Sequence, residues 1–298
     1  MRNLLPSVLV LLAACGGSAT PGPAPTAFQL TDSTIIVDPR TGATLPAAEL
    51  VRRAQAADYV LLGEYHDNAR DHEVRARLLR ALAARRPGVV FEQFTWNDST
   101  MPRPATVDTT WLDAHGFDRK GWRWPLHAPV VEAAVAVGRE LRGSGVKREV
   151  LRAVVRNGVG TAPAPLASLV TRFPLDSTQQ KTIDDELLAS HCGQLPLNMV
   201  PGMRAMQELR DAAMTNALLS AGATGPAWLI AGNGHVRRDI GVPRMLSRAA
   251  AGKQLLVVGL LERDSTGAMP AAEEQRLYDL VVVTPRAARE DPCASFGR

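Results

Sequence analysis

The chain has 298 residues, of which 46% are hydrophobic and 21% are charged, the balance of an ordinary globular protein. This composition excludes a disordered chain, a collagen and a disulfide-dense mini-protein. The formal net charge is only +4 and no run of five like charges occurs, so the sequence shows no sign of a nucleic-acid-binding surface.

The N-terminal part of the chain predicts export and a lipid anchor. Residues 1–14 hold one arginine and a short apolar run, which is typical of a signal peptide and too short to span a bilayer. The run ends in Leu-Ala-Ala-Cys-Gly, which resembles a bacterial lipobox with Cys15 as the lipidated residue; an ordinary cleavage site is the alternative. Residues 15–27 are rich in Gly, Ala and Pro and predict a flexible tether. A glycine after the cysteine, where aspartate would signal inner-membrane retention, favours the outer membrane of a bacterial envelope.

Apolar runs and helical patterns alternate along residues 28–298, which are predicted to form one domain. Strands are predicted at 60–62, 89–91, 227–231, 254–261 and 277–284. Helices are predicted at 71–86, 129–141, 176–189, 200–219 and 242–251. Residues 95–129 predict a long excursion with short helices, and residues 143–176 show no clear pattern. The alternation predicts an α/β fold in three layers, α/β/α, with a mainly parallel central sheet.

Three polar clusters directly follow predicted strands, with the sequences GEYHDN, EQ and GNGH. The carboxyl ends of parallel strands meet at one edge of a sheet, and ligands of open α/β sheets bind there. We therefore expect Glu64, His66, Glu92 and His235 to line a single site.

Within these clusters, residues two apart are expected to point to the same side of an extended chain. On that basis Glu64 and His66 share one face, and Asn233 and His235 share another. A carboxylate beside an imidazole can prepare the ring as a general base, or both groups can bind a divalent metal. The remaining histidines are interpreted as structural; they are His72, His115, His127 and His191.

Two cysteines lie beyond the predicted lipidation site, at Cys192 and Cys293. An exported protein can form disulfides, and a bridge over so long a loop would contribute about 4–5 kcal/mol in the chain-entropy model. The sequence alone leaves open whether the two cysteines meet.

Several short motifs occur in order along the chain: LLGEYHDN, FEQ, GWRWP, RDxxM, AGNGHV and GVP. As a set they resemble the ChaN family of haem-binding, iron-uptake lipoproteins in the ChaN/Tiki/erythromycin-esterase superfamily. The resemblance runs from about Asp58 to Pro243. Residues 138–175 depart from it, because the strand and Asn loop expected after the tryptophan motif are not recognisable and the stretch around 146–155 is rich in basic residues.

The resemblance implies a three-layer α/β/α fold, a haem site, and a homodimer that sandwiches two cofacial haems. It also implies a tyrosine as iron ligand, and Tyr65 is the candidate because it alone of three tyrosines lies inside a motif. The alternative is that Tyr65 alternates away from Glu64 and His66 and packs in the core. His66 and His235 are then the fallback iron ligands.

The resemblance further implies polar groups that hold the rest of the haem. Arg210, or Arg204, is the candidate partner for the propionates, because arginine binds carboxylates bidentately. Arg210 could instead form a salt bridge with a neighbouring carboxylate. Asn233 belongs to the same predicted cofactor-binding set.

The favoured hypothesis is a membrane-anchored haem-binding lipoprotein that acts in haem or iron uptake, with haem and the membrane as partners and a homodimer as its assembly. The alternative is a hydrolase of the superfamily's esterase or protease branches, with or without a divalent metal. In that alternative His66 is the base, Glu64 and Glu92 are the carboxylates, and His235 stabilises negative charge. Neither a Gly-x-Ser-x-Gly nor an HExxH motif occurs. A third hypothesis is a scaffold whose site has decayed.

Overall fold

A computed structural model describes residues 28–31 and 33–295. The predicted signal peptide 1–14, the predicted lipidation site Cys15 and the tether that follows it lie outside the described residues. Among the helices within the described ranges, none combines the length and the apolar character needed to cross a bilayer.

The strands of the described residues form one sheet. They are β1 (Ile35–Asp38), β2 (Ala43–Leu45), β3 (Tyr59–Leu62), β4 (Gly88–Thr95), β5 (Glu140–Gly145), β6 (Ala227–Ile230), β7 (Leu255–Glu262) and β8 (Leu280–Thr284). The strand order across the sheet is β2-β1-β8-β7-β3-β6-β4-β5. β1 runs antiparallel to β2 and β8, and all other neighbours are parallel. The central strands β3 and β6 are buried throughout, which is why they read as continuous apolar runs in the sequence.

Helices cover both faces of this sheet. They are α1 (Ala47–Ala56), α2 (Ala69–Ala81), α3 (Thr109–Ala114), α4 (Ala128–Val137), α5 (Arg148–Asn157), α6 (Ala164–Arg172), α7 (Ser177–Ser190), α8 (Val200–Gly222), α9 (Asn233–Val236), α10 (Val242–Ala249) and α11 (Ala272–Gln275). One face of the sheet packs against α1, α2 and α4, and the other packs against α8 and α10. The predicted three-layer α/β fold with a mainly parallel sheet is therefore confirmed.

Helix α2 brings charged side chains into the interior. It begins after Asn68, whose side chain accepts a hydrogen bond from the amide of Arg70 at 2.9 Å and so caps the helix. In its first two turns Asp71, His72 and Arg75 are all fully buried. Because burying an unpaired charge costs several kcal/mol, these groups must find partners at the end of the sheet.

The structure corrects several predicted elements. The single helix predicted at 129–141 is α4, which ends at Val137, followed by the start of β5. This strand was missed because it contains Arg142 and two glycines, and it tolerates them as the edge strand of the sheet. Residues 143–176, for which no pattern was recognised, contain α5 and α6. The strand that was expected to end at Glu92 continues to Thr95.

Cys192 and Cys293 form a disulfide with 5.7 Å between their Cα atoms, which resolves the alternative that the sequence left open. The bridge ties the end of α7 to the C-terminal segment. In that segment Arg289 forms ion pairs with Asp67 at 2.7 Å and with Glu262 at 2.6 Å. The segment around Arg289 is thereby held against the GEYHDN loop.

Candidate functional site

The three polar clusters converge at one edge of the sheet, two of them just after β3 and β6 and the third within β4, because these strands are direct neighbours in the sheet. His66 Nε2 lies 4.0 Å from Glu92 Oε2, and His235 Nε2 lies 3.5 Å from Glu92 Oε1. Glu64 lies on the far side of His66, with its Oε1 at 2.6 Å from His66 Nδ1. The structure thus brings the four predicted residues together, while their roles stay predictions.

Glu64 is fully buried and collects several donors. Its Oε1 lies near His66 Nδ1, accepts a hydrogen bond from Gln93 Nε2 at 3.0 Å, and lies 3.3 Å from His127 Nε2. Its Oε2 contacts the guanidinium of Arg75, which is also fully buried and supplies the opposite charge. An ionised carboxylate can only accept, so His66 must carry a proton on Nδ1, and in the neutral ring the lone pair is then on Nε2.

The groups behind Glu64 come from α2 and α4, and sequence reasoning missed their part in the site. Burial lowers the pKa of Arg75 to about 9, so it remains a cation at neutral pH. Burial also lowers the pKa of His72 to about 4 and that of His127 to about 2, so both rings are neutral. Arg75 therefore carries the charge that balances Glu64. No sequence motif pointed to Arg75, because it lies within the predicted helix 71–86 and outside the polar clusters that follow the strands.

His235 is held between two carboxylates. Its Nδ1 lies 2.7 Å from Oδ1 of Asp211 on α8, and its Nε2 faces Glu92. Burial alone would lower the pKa of His235, but the charge of Glu92 and the hydrogen bond to Asp211 outweigh it and raise the pKa. Burial raises the pKa of Asp211. Burial acts to raise the pKa of Glu92, but the charges of His235 and His66 outweigh burial and lower this pKa.

A cavity of about 580 Å³ opens beside these groups, within the usual range of ligand cavities of about 300–1,000 Å³. The side chain of His66 is 44% exposed, and the ring of Trp122 packs edge-on against it with 4.9 Å between centroids. The other lining residues that matter here are Glu92, Gln93, Phe94, Lys147, Arg148, Arg210 and Met214. A Cβ on Gly232 would lie 2.9 Å from the His66 ring, so a glycine is needed for this close approach.

Tyr65, the predicted iron ligand, does not line this cavity. It packs against the other face of the sheet, and the guanidinium of Arg289 lies 5.3 Å from its ring centroid. Burial, with the charges of Glu274 and Glu262, raises the pKa of Tyr65 to about 12, which opposes the phenolate that iron would need. The expectation that Tyr65 lies in the site is therefore wrong, because successive residues of an extended segment point to opposite sides and Tyr65 alternates with Glu64 and His66. Its role as an iron ligand stays a prediction.

Asn233 was predicted to share a face with His235, and this is also wrong. Its Nδ2 donates a hydrogen bond to the carbonyl of Leu260 at 2.6 Å, and its Oδ1 accepts one from the amide of Leu260 at 3.1 Å. The reason is that 233–236 form the helical turn α9, in which residues two apart diverge. Asn233 joins β3 and β7 rather than the cavity.

Of the two candidate arginines, the structure places only Arg210 at the cavity. Its Nη1 lies 3.4 Å from Gln207 Oε1, and within the described ranges it has no carboxylate at ion-pair distance. Arg204 pairs with Asp184 instead. Lys147 and Arg148, at the start of α5, add two further cations to the cavity wall. They lie in a segment whose role was unclear from the sequence.

Of the three candidate iron ligands, Tyr65 lies away from the cavity, while His66 and His235 lie on either side of Glu92. Donor atoms of Glu64, His66 and His127 do lie within 4.8 Å of one another. Arg75, however, already balances the single carboxylate of this group, and a divalent cation would leave an excess of buried positive charge. The arrangement favours a histidine ligand for a bulky group in the cavity over a small metal centre.

Comparisons with known proteins agree with these observations. A family model described as haem-binding uptake, Tiki superfamily, ChaN matches residues 50–246. The chain is also similar to a solved structure of ChaN of Campylobacter jejuni that is described by its cofacial haem binding. The TM-score is 0.69 and the identity 18%, and the match covers 86% of this chain and 98% of that one, which supports a shared fold. No curated protein matches the chain.

Proposed function

The chain belongs to the ChaN family of haem-binding uptake proteins in the Tiki superfamily, since the family model matches more than half of it, and we propose that it binds haem in the cavity beside His66. The observation that carries this proposal is the proton arrangement of His66. Glu64 holds Nδ1, so the neutral ring presents the lone pair of Nε2 to the cavity, a donor of the kind that ligates haem iron.

The other residues of the cavity fit a flat, mostly apolar molecule with two carboxylates. Trp122, Phe94 and Met214 supply apolar surface, and the cations Lys147, Arg148 and Arg210 are suited to the propionates. His235 is less suited to ligate iron in this cavity, because it lines a separate, smaller pocket and only 14% of its side chain is exposed. Iron and porphyrin chemistry would belong to the haem, while these residues bind and orient it.

A hemin titration of the purified chain tests the proposal. We expect a shifted Soret band for the wild type and at least about a tenfold loss of affinity for His66→Ala, because a coordinating ligand is removed. Tyr65→Phe should bind as the wild type does, since Tyr65 faces away from the cavity. His191→Ala, a partly buried histidine far along the chain, is the matched control. A flat titration, or equal losses in both histidine variants, would contradict the proposal.

We also propose that the protein is a lipoprotein anchored through Cys15 in the bacterial envelope, with the outer membrane favoured, and that it takes part in haem or iron uptake. The motif around Cys15 supports the anchor, and the disulfide is typical of an oxidising compartment outside the cytosol. Acyl labelling and membrane fractionation of the wild type and Cys15→Ser test it. Equal membrane recovery and no label in either chain would contradict it.

We propose in addition that haem binding is coupled to a homodimer. The half-exposed edge of His66 and the open side of the cavity allow a bound haem to present one face outward. The cofacial binding described for ChaN of Campylobacter jejuni supports the same arrangement.

Hydrolysis is the second candidate, favoured by the hydrogen bond between Glu64 and His66. A free Nε2 backed by a carboxylate is also the geometry of a general base, with Glu92 and His235 close by. Metal analysis followed by an ester and peptide panel decides between the two. Turnover that His66→Ala abolishes would make hydrolysis the function, and no turnover above background is the result we expect.

A further inference from the structure

A second, apolar groove of about 350 Å³ lies between α5 and the start of α8, next to the haem cavity. Its floor is made by aliphatic and thioether side chains: Leu151, Val155, Met199, Met203 and Met206. Methionines and branched residues four apart on two packed helices would ordinarily meet a further layer of protein. In the described part of the chain nothing covers them.

The rim of this groove is cationic. Arg148, Arg152 and Arg156 lie four residues apart on α5 and so form one row, and Arg210 stands on α8 opposite. No acidic residue lines the groove. Among the described residues neither Arg152 nor Arg156 has a carboxylate at ion-pair distance, and the pair of Arg148 with Asp118 at 3.4 Å is solvent-exposed.

Met199, which lines the groove, belongs to a short turn that exposes apolar side chains. Leu197 is 76% exposed and Met199 is 43% exposed, in the 3₁₀ turn Leu197–Met199 that leads into α8. Within the described ranges, Met269 is the only other large hydrophobic side chain that is exposed. Exposed apolar tips beside a row of arginines are typical of surfaces that lie in the headgroup layer of a bilayer.

We propose that this groove docks the folded domain on a bilayer that contains anionic phospholipid. The row of arginines contacts headgroup phosphates, while Leu197 and Met199 enter the upper acyl region. A second copy of the chain fits less well, because a twofold interface would set the same unpaired arginines against one another. The surface is separate from any acyl anchor, which lies outside the described residues.

Docking in this way would bring one wall of the haem cavity next to the lipid. Arg148, Leu151 and Arg210 line both the groove and the cavity. If the proposed function holds, haem, which is itself amphipathic, would pass between the bilayer and His66 along this shared wall. The docking surface itself does not depend on haem binding.

Vesicle sedimentation tests the proposal, using the full chain with Cys15→Ser so that no variant can be acylated. Vesicles of phosphatidylcholine alone are compared with vesicles that also contain phosphatidylglycerol. We expect binding to depend on the anionic lipid and to fall with added salt. Arg152→Gln/Arg156→Gln should bind at least about tenfold more weakly, because each arginine at such a surface contributes on the order of 1 kcal/mol. Leu197→Ser/Met199→Ser should also bind more weakly.

The matched control is Arg40→Gln/Arg80→Gln, which removes the same charge from exposed positions at the other side of the sheet. Equal losses in the two arginine pairs would mean unspecific attraction and would overturn the proposal, as would binding that ignores the anionic lipid. Hemin affinity and oligomeric state are measured in parallel. If Arg152→Gln/Arg156→Gln no longer binds hemin, the groove belongs to the haem site. If the variant no longer forms a dimer, the groove is an interface between copies of the chain. Either result would overturn the proposal that the groove binds lipid.

Discussion

The proton on His66 is positioned by Glu64, and the charge on Glu64 is balanced by Arg75. This chain of buried contacts runs from α2 to the cavity and leaves Nε2 of His66 facing outward. Gly232 shapes the same spot from β6, because it leaves room for the imidazole. At the scale of single residues, the site is a ring whose tautomer and position are both set by neighbours.

Gly232→Ala should therefore impair haem binding while leaving the fold intact. The new Cβ would lie 2.9 Å from the His66 ring and push it aside, which we expect to weaken hemin binding by about tenfold. The backbone there has φ −65°, which alanine adopts freely, and the displaced ring is half-exposed, so the melting temperature should change little.

Gly234→Ala is the control for this prediction, because a Cβ at that position meets nothing within 4 Å. Hemin titration and thermal unfolding of both variants provide the measurement. Equal hemin affinity for the two variants would show that the space beside His66 does not matter for binding.

Asp211→Asn should lower the pKa of His235, because it removes one of the two carboxylates that outweigh burial. In the native state His235 keeps its proton to a higher pH than in the unfolded chain, whose histidines titrate near 6.5. This contribution to stability is complete below pH 6.5 and is lost as the pH rises through the native pKa. The variant should therefore lose less stability above pH 6.5 than the wild type.

Histidine ring signals followed by NMR, with urea unfolding at several pH values, measure this effect. Asp185→Asn, which changes an exposed aspartate paired only with Lys181, is the control and should leave His235 unchanged. An identical His235 titration in wild type and Asp211→Asn would show that Asp211 does not set its charge.

At the scale of elements, the polar residues near the ends of buried strands were the part of the site that the sequence predicted. β3, β6 and β4 are buried and apolar, so each polar residue that follows them stands out in the sequence. β5 and α5 complete the cavity wall but were not recognised. An edge strand with arginine and glycines carries little periodic apolar signal, whereas α5 does have an apolar face, with Leu151 and Val154 buried opposite its arginines, and the sequence analysis did not identify it. The segment 138–175, which departs from the family pattern, therefore does contribute a wall of the cavity, and this wall is polar.

The disulfide joins two elements that sequence reading treated separately, the end of α7 and the C-terminal segment. Cys192→Ser/Cys293→Ser should lower the free energy of unfolding by about 2–5 kcal/mol, because the cross-link no longer restricts the unfolded chain. Urea unfolding of the wild type with and without reductant gives the comparison. Reductant should not affect the variant, and an unchanged unfolding midpoint would contradict the prediction.

At the scale of the whole molecule, the C-terminal segment closes over the GEYHDN loop. Arg289 pairs with Asp67 and Glu262 and lies over the ring of Tyr65, so a residue more than two hundred positions later holds the side of the loop that faces away from the cavity. His66 points the other way. The GEYHDN loop thus contacts the C-terminal segment on one side and carries His66 of the proposed haem site on the other.

The proposed homodimer is tested at this scale by sedimentation with and without hemin. We expect the mass to double when hemin is added, because a haem bound at an open cavity leaves one face to pair with a second. His66→Ala should stay at its hemin-free mass. A wild-type chain whose mass does not respond to hemin would contradict the coupling of haem binding and assembly.

The sequence by itself determined the α/β class, the resemblance to the ChaN family and the meeting of Glu64, His66, Glu92 and His235. These follow from apolar strands that run parallel and end in polar residues, and the family match and the sheet order confirm the first two. Only the tertiary structure decided that Tyr65 and Asn233 turn away and that Arg75 and Asp211 stand behind the histidines. Side-chain direction depends on the local backbone, and the partner of a buried charge depends on which distant elements pack together, and neither is written in the spacing of residues along the chain.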